Sequence, residues 1–353
     1  MFPIITMHHL RAIKAWADAN GGQAQLDLSS FELEVKARNR FYRLLPQFIQ
    51  EKDGRRLHVN QLSPEVTTFI GWRPYPPLRL SLSADKLVFK QALASAGLPT
   101  PAAWPSSAEA RSDFVLKRSV GSFGLQLAGP FRQGALPTAP SALVSTSTPG
   151  KLFAEAFVEG ENVKAWFWGA RPVHLQRMPY ATVRGDGHLD VDTLVTRRLA
   201  QAGKDWSLHP EREHILSSLA YQGVAPGTVP NAGQVLWLDY RYGRTFSPNE
   251  RRFEAEDNAW HALPPEQRGQ VTAMGDWLLR TLHGETRAPV LCTADGVLDA
   301  RGTIWWLELN SNPVCPPNAY FAMLSTLFGT SAEAPATAYA RGPLASQPVG
   351  TAT

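Results

Sequence analysis

The chain has 353 residues, 44% of them hydrophobic and 19% charged, with a net charge of +4. That length allows two or three domains around sizeable cores, and the composition excludes global disorder. Basic residues alternate with acidic ones and form no dense stripe, which argues against nucleic acid; a modest positive balance suits an anionic substrate.

No run of about 18 apolar residues marks a membrane span. The opening M-F-P-I-I-T-M-H-H lacks the charged and apolar regions of a signal peptide, so a cytoplasmic protein is expected. Cys292 and Cys315 form neither a C-x-x-C pair nor a zinc spacing and are read as reduced. His8 and His9 are adjacent without a further ligand and are read as surface residues.

Residues 9–19 have helical apolar spacing at Leu10, Ile13 and Trp16, ended by Asn20-Gly-Gly. A second helix is predicted near 34–49, broken or kinked by Pro46. Residues 57–60 read as a short strand, and G-W-R-P-Y-P-P (71–77) as a connector between domains. Ser83 or Asp85 caps a helix through Lys86, Phe89 and Leu93, which Gly97 and Pro99 terminate. Phe114–Lys117 and 125–128 read as strands joined by the small-residue loop R-S-V-G-S-F-G (118–124). No helix follows that loop and it is not G-x-x-x-x-G-K-[ST], so the P-loop and dinucleotide fingerprints are absent. Its backbone N–H groups can still face a phosphate, with Lys117 at the base.

Strands follow at 151–158, 162–168 and 171–177, then a mainly helical stretch at 195–219 with a break near His209-Pro, an aromatic and basic strand at 235–243, and a helix at 267–282. Residues 290–298 and 304–310 read as a hairpin turned by D-A-R-G (299–302). Strand alternation puts Ile304, Trp306, Glu308 and Asn310 on one face, with Trp305, Leu307 and Leu309 on a core face. If Asp299 lies opposite Gly302, Asp295 falls opposite Trp306 and diagonal to Glu308. Three oxygen-bearing side chains then share one face, a set suited to a hard divalent cation such as Mg²⁺. Beyond about residue 329 the composition reads as a disordered tail.

Four stretches carry a resemblance: D-K-L-V-F-K-Q-A-L-A-S-A-G-L-P-T-P (85–101), F-V-L-K-R-S-V-G-S-F-G (114–124), L-F-A-E-A-F-V-E-G-E-N-V-K-A-W (152–166) and D-G-V-L-D…L-E-L-N-S-N-P (295–313). They stand in the order of the ATP-grasp superfamily, and over 85–325 the chain resembles its ligase branch, near D-alanine–D-alanine ligases and RimK-like glutamate-adding ligases. The resemblance implies an α+β (α/β) ATP-grasp fold, with ATP held between two α+β subdomains of mostly antiparallel sheet. It implies an N-terminal domain at 1–80, a central subdomain at 81–160, a metal-bearing subdomain at 161–328 and a tail at 329–353.

The resemblance also implies roles. Lys86 and Lys117 would reach the ATP phosphates, and the loop with Ser119, Gly121 and Ser122 would close over them, Ser122 near the transferred phosphoryl. Glu155 would accept from the adenine amino group, the Phe157–Val158 backbone would read the adenine edge, and Glu161 or Asn162 would contact the ribose. Asp295, Glu308 and Asn310 would hold two Mg²⁺, and Arg177 would sit near the acyl phosphate. The family's D-alanine ligases carry Arg two residues before the metal Asp, where this chain has Thr293, which argues against a plain D-alanine–D-alanine ligase. Arg184, Arg241 and Arg244 are the candidates for gripping a substrate carboxylate. The implied activity is an ATP- and Mg²⁺-dependent joining of a carboxylate to an amine. The alternatives are a kinase-type enzyme that stops at a phosphorylated product and a non-catalytic ATP-binding regulator. Expected partners are small amino acid or peptide substrates, with neither nucleic acid nor membrane; a homodimer is the assembly to test.

Overall fold

The computed structural model describes residues 2–52, 55–121, 127–135, 137, 143, 149–201, 203–207, 209, 211–242, 258–286 and 288–330. They form two compact units, one of residues 2–77 with 314–330 and the other of 78–242 with 259–313. Residues 314–328, grouped above with the metal strands, therefore pack with the N-terminal residues instead. Both units mix helices with antiparallel sheet, an α+β architecture.

In the first unit, helix α1 (Phe2–Ala19) is followed by β1 (Gln23–Leu26), β2 (Leu33–Ala37), β3 (Arg40–Lys52), β4 (Arg55–Val59) and β5 (Val66–Arg73), paired in the order β1-β2-β3-β4 with β5 also on β3. The helix predicted at 34–49 is thus two strands. Leu33, Val35 and Ala37 are buried while Lys36 between them is exposed, so the period is two and not 3.6. Ala37 pairs with Arg40, and the two residues between, Arg38 (φ 49°) and Asn39 (φ 58°), take the left-handed conformation of a tight hairpin turn. His9 is buried, not at the surface: its Nδ1 lies 2.8 Å from the Tyr320 hydroxyl. Tyr320 belongs to α6 (Ala319–Phe328), which packs on α1 through Trp16 and Phe328, with ring centroids 4.9 Å apart. Gly71 (φ 117°) faces the Cys315 side chain, and an added Cβ would stand 2.6 Å from it.

The second unit holds α2 (Lys86–Ser95) and two four-stranded antiparallel sheets. One is β6 (Ala103–Trp104), β9 (Leu152–Ala156), β7 (Phe114–Arg118) and β8 (Leu127–Phe131), in that order. The other is β11 (Arg171–Met178), β10 (Gly160–Trp168), β14 (Leu291–Asp299) and β15 (Ile304–Asn310). The helix α5 (Pro265–Leu282) lies close enough to the second sheet that a Cβ on Gly275 would meet the Ala170 carbonyl oxygen. A ribbon of β12 (Ala181–Arg184) and β13 (Val235–Asp239) carries α3 (Val191–Ala200) and α4 (Arg212–Tyr221) over a core that includes Val195, Trp206, Ile215, Leu219 and Leu238. None of the helices among the described residues is long and apolar enough to cross a membrane.

Candidate active site

The β14–β15 hairpin forms as read, but its register differs. Asp295 lies directly opposite Glu308, while Gly296 pairs with Trp306, so Leu307 is an extra residue in a bulge. The bulge resets the alternation. Glu308 and Asn310 share a face with Trp305, whereas Ile304, Trp306 and Leu309 occupy the opposite face and are buried. The expected companionship of Glu308 with Trp306 is therefore corrected, and Asp295 and Glu308 come closer together than the diagonal arrangement allows.

Register extends this face across the sheet. Lys164 of β10 pairs with Asp295, and Gln176 of β11 pairs with Lys164, so Gln176, Lys164, Asp295 and Glu308 form one polar row. Lys164 Nζ lies 2.7 and 3.0 Å from the two Asp295 oxygens, and Asn310 Nδ2 donates to Asp295 Oδ2 at 3.2 Å. Burial pushes the Asp295 carboxyl up from its ordinary range; Lys164 opposes that shift and Glu308 adds to it.

Lys86, the first residue of α2, reaches the same row: its Nζ is 3.3 Å from Glu308 Oε2 and donates to the Gly121 carbonyl. Asp85 fixes this end of the helix. Its Oδ1 accepts from the Leu87 and Val88 N–H groups, and its Oδ2 accepts from the Ser119 hydroxyl at 2.8 Å. Ser119 is buried and also accepts from the Lys151 N–H, so it staples the stem of the 118–124 loop to α2. Ser122 lies outside the described residues, as does Arg244.

A second charge cluster is buried between α2 and the first sheet. Glu155 of β9 is 2% exposed; its Oε1 is 2.5 Å from Lys117 Nζ and its Oε2 2.7 Å from Lys90 Nζ. Burial alone would raise the Glu155 carboxyl, but the two ammonium groups outweigh it and hold the group below its usual range. Lys90 also donates to Thr100 Oγ1 and the Pro101 carbonyl, and burial lowers its own pKa. Both Glu155 oxygens are thus engaged by lysines.

The 157–162 segment is held on the aromatic cluster of Phe157, Tyr180, Tyr221, Trp237 and Tyr240. The Phe157 N–H donates to the Asp113 carbonyl, and Tyr180 Oη donates to the Val158 carbonyl at 3.3 Å. Asn162 is buried, its Nδ2 donating to the Tyr240 carbonyl, while the Glu161 side chain is 23% exposed. Glu161 is the more exposed of the two ribose candidates, but it lies on the Arg177 face of the sheet, whereas Asn162 lies on the Lys164 face.

The arginines are placed differently from expectation. Arg177 pairs in register with Val163, on the sheet face opposite Lys164 and Asp295, and its Nε and Nη2 bind Glu161 at 2.8 and 2.5 Å. The structure does not bring it to the face that carries Asp295 and Glu308. The fork of Arg241 grips both oxygens of Asp239 at 3.0 Å and also reaches Glu211, with His214 Nε2 3.2 Å from Asp239. Arg184 is exposed and donates to the Gly233 carbonyl.

Sequence reading missed Lys90, Lys164 and Gln176. Lys86 and Lys90 are four apart and so share a helix face, a signal available without the structure. Lys164 stands among apolar strand residues in N-V-K-A-W, which also marks it. Among the described residues no group of three or more His, Cys, Asp or Glu side chains forms a metal cluster; Asp295, Glu308 and Asn310 supply two carboxylates and a carboxamide.

These features define an α+β protein with carboxylates and lysines gathered on one face of an antiparallel sheet, beside a small-residue loop. No protein-family model and no curated protein matches the chain. Among solved structures it is similar to a bifunctional glutathione synthetase from Pasteurella multocida (15% identity, 90% of this chain and 43% of that one, TM-score 0.40). It is also similar to the D-alanine–D-alanine ligase of Bacillus anthracis complexed with ATP (11% identity, 66% and 57%, TM-score 0.32) and to the ATP-grasp ligase PsnB complexed with a minimal precursor (11% identity, 69% and 61%, TM-score 0.33). The chain thus spans less than two thirds of the length of each of these proteins.

Proposed function

We propose that this chain is an ATP- and Mg²⁺-dependent carboxylate–amine ligase, of the acid–amino-acid type, acting on amino acid or peptide substrates through an acyl phosphate. One observation carries the reading. Lys86, at the start of α2 and bound to the phosphate-loop carbonyl of Gly121, lies 3.3 Å from Glu308 on the carboxylate face. The stretch expected to bind phosphate and the stretch expected to bind metal, far apart in sequence, are in contact there.

The residues fit the groups this chemistry needs. Asp295, Glu308 and Asn310 offer only oxygen ligands, as a hard cation requires. Two ammonium groups, Lys164 on Asp295 and Lys86 on Glu308, already show that the face attracts positive charge. Two Mg²⁺ held there would neutralise the phosphate oxygens during transfer.

A carboxylate is a poor electrophile. Its oxygen attacks the γ-phosphorus of ATP, the bond to the β-phosphate oxygen breaks, and ADP leaves. The amine then attacks the acyl carbon of the acyl phosphate, inorganic phosphate departs with the bonding pair, and the amine loses a proton. Such transfer needs positioning and charge neutralisation rather than a protein nucleophile. Lys86 and Lys117 supply fixed positive charge, and Glu155 orients Lys117. The Phe157–Val158 segment provides an adenine edge, and Glu161 or Asn162 a ribose contact. Residues 81–160 carry the loop side of the site and 161–313 the metal side. A cytoplasmic location and a homodimer belong to the same proposal.

The test is a screen for Mg²⁺-dependent ADP release over pairs of carboxylate and amine amino acids or peptides. Amide product and ADP in equal amounts, only when both substrates are present, is the expected result. ADP with a phosphorylated product and no amine requirement would establish the kinase-type alternative. Nucleotide binding without ADP release in any pair would establish a non-catalytic regulator.

A further inference from the structure

We infer that Lys164 is an internal counter-cation which a divalent metal must displace from Asp295, and whose released ammonium then serves the anion bound on the same face. The inference rests on the nucleotide and metal reading above and concerns how the metal enters the site.

The geometry makes the competition direct. Lys164 Nζ is within 2.7 and 3.0 Å of both Asp295 oxygens, and Asn310 Nδ2 occupies Oδ2 as well. Lys164 holds a lone pair on each Asp295 oxygen, so a metal ion cannot take both oxygens without displacing it, and a divalent ion beside an ammonium is repelled by it. Glu308 has a different guard. Lys86 sits at a helix end and is shared with the Gly121 carbonyl, whereas Lys164 rises from the middle of the sheet.

Two aromatic rings already flank the ammonium where it stands, and they offer it a neighbour when it leaves Asp295. The Trp166 ring lies 5.7 Å and the Tyr242 ring 5.2 Å from Lys164 Nζ. An aromatic face attracts a cation, and Tyr242 is itself held by its hydroxyl bond to Gln176, the next member of the polar row. The long flexible stem of lysine lets the charge move along the row without leaving the site. Lys164 therefore opposes a metal that arrives alone. It favours a metal that arrives with an anion, because the anion takes up the displaced charge. Metal and nucleotide binding are coupled through one side chain, and such coupling is reciprocal.

Direct binding of Mn²⁺ to the full chain, followed by electron paramagnetic resonance with and without ADP, tests this without any turnover. In the parent chain ADP should strengthen Mn²⁺ binding. In Lys164→Met, Mn²⁺ alone should bind at least 10-fold more tightly, and the strengthening by ADP should shrink at least 10-fold. Lys164→Arg keeps the charge and adds a bidentate grip on Asp295, so it should bind Mn²⁺ alone several-fold more weakly than the parent. This second variant keeps the test decisive if Lys164→Met does not fold. Mn²⁺ binding to Lys164→Met no tighter than to the parent, or to Lys164→Arg no weaker, overturns the inference while leaving the metal site intact. Mn²⁺ binding to Asp295→Asn that equals the parent overturns the metal site itself, and the inference with it.

Discussion

Lys86 Nζ lies 3.3 Å from Glu308 Oε2, so the first residue of α2 and the end of β15 are joined by a charge pair. The pair makes Glu308 the residue on which the proposed chemistry depends most. Glu308→Gln keeps the shape and a partly exposed position but removes the charge. We expect Mg²⁺-dependent ADP formation to fall at least 100-fold, with little change in melting temperature. A turnover number equal to the parent's would remove the metal assignment.

Lys90 and Lys117 share Glu155, and the cluster is almost fully buried. Lys90→Met leaves Glu155 with one cation instead of two in a site with little water. The expected loss is roughly 1–3 kcal/mol of stability, less than for a fully orphaned buried charge because Lys117 remains. The KM for ATP should also rise, as Lys117 is drawn further onto Glu155. A double-mutant cycle with Glu155→Gln should show coupling between the two positions; additive effects would mean that the cluster does not act as a unit.

Arg241 was a candidate for binding a substrate carboxylate, but its fork holds Asp239 and reaches Glu211. Although burial would raise the Asp239 carboxyl, His214 and Arg241 together hold it well below the ordinary range. Arg241→Ala should therefore destabilise the fold, by about 3–5 kcal/mol if Asp239 is left unpaired. Substrate KM in the folded fraction should change little. A tenfold rise in KM with an unchanged unfolding transition would instead place Arg241 in the substrate site.

His9 sets a pH dependence in the first unit. Burial, with help from His8 and Arg73, lowers its pKa from 6.5 to about 3, so it stays neutral in the folded chain through mildly acidic pH. The unfolded chain binds that proton near pH 6.5 and the folded chain does not, so stability falls as pH drops below that value. The loss from this group is at most about 1.4 kcal/mol per pH unit. Thermal melts at pH 7.5 and 5 should show a larger drop for the parent chain than for His9→Gln. Equal drops would mean that His9 is not held neutral.

The site was legible where local chemistry marks it and obscure where register decides. Asp85 as a cap, Gly97 and Pro99 as stops, and the D-A-R-G turn all carry their own signals, so α2 and the β14–β15 hairpin could be placed. No turn residue marks the bulge at Leu307, and ordinary alternation therefore put Trp306 on the wrong face. The 34–49 segment misled in another way. Its apolar residues satisfy a helical spacing, and it is the period-two burial of Leu33, Val35 and Ala37, with the left-handed turn at Arg38 and Asn39, that shows strand pairing prevailed. Arg177 is one position away from Gln176, and that single step moves its side chain to the other face of the sheet. Lys164 was readable as a charge in an apolar strand, but its partner Asp295 lies on a strand far along the chain.

The return of α6 to α1 has a consequence for biosynthesis. Trp16 Nε1 donates to Ser325 Oγ, and His9 bonds Tyr320, so the N-terminal unit takes essential core groups from residues 314–330. Residues 78–313 are present in full before that stretch is made. Domains fold as units during synthesis, so the first unit to emerge is the last to be completed. A fragment ending at Pro313 would leave its earliest residues without the partners that bury them.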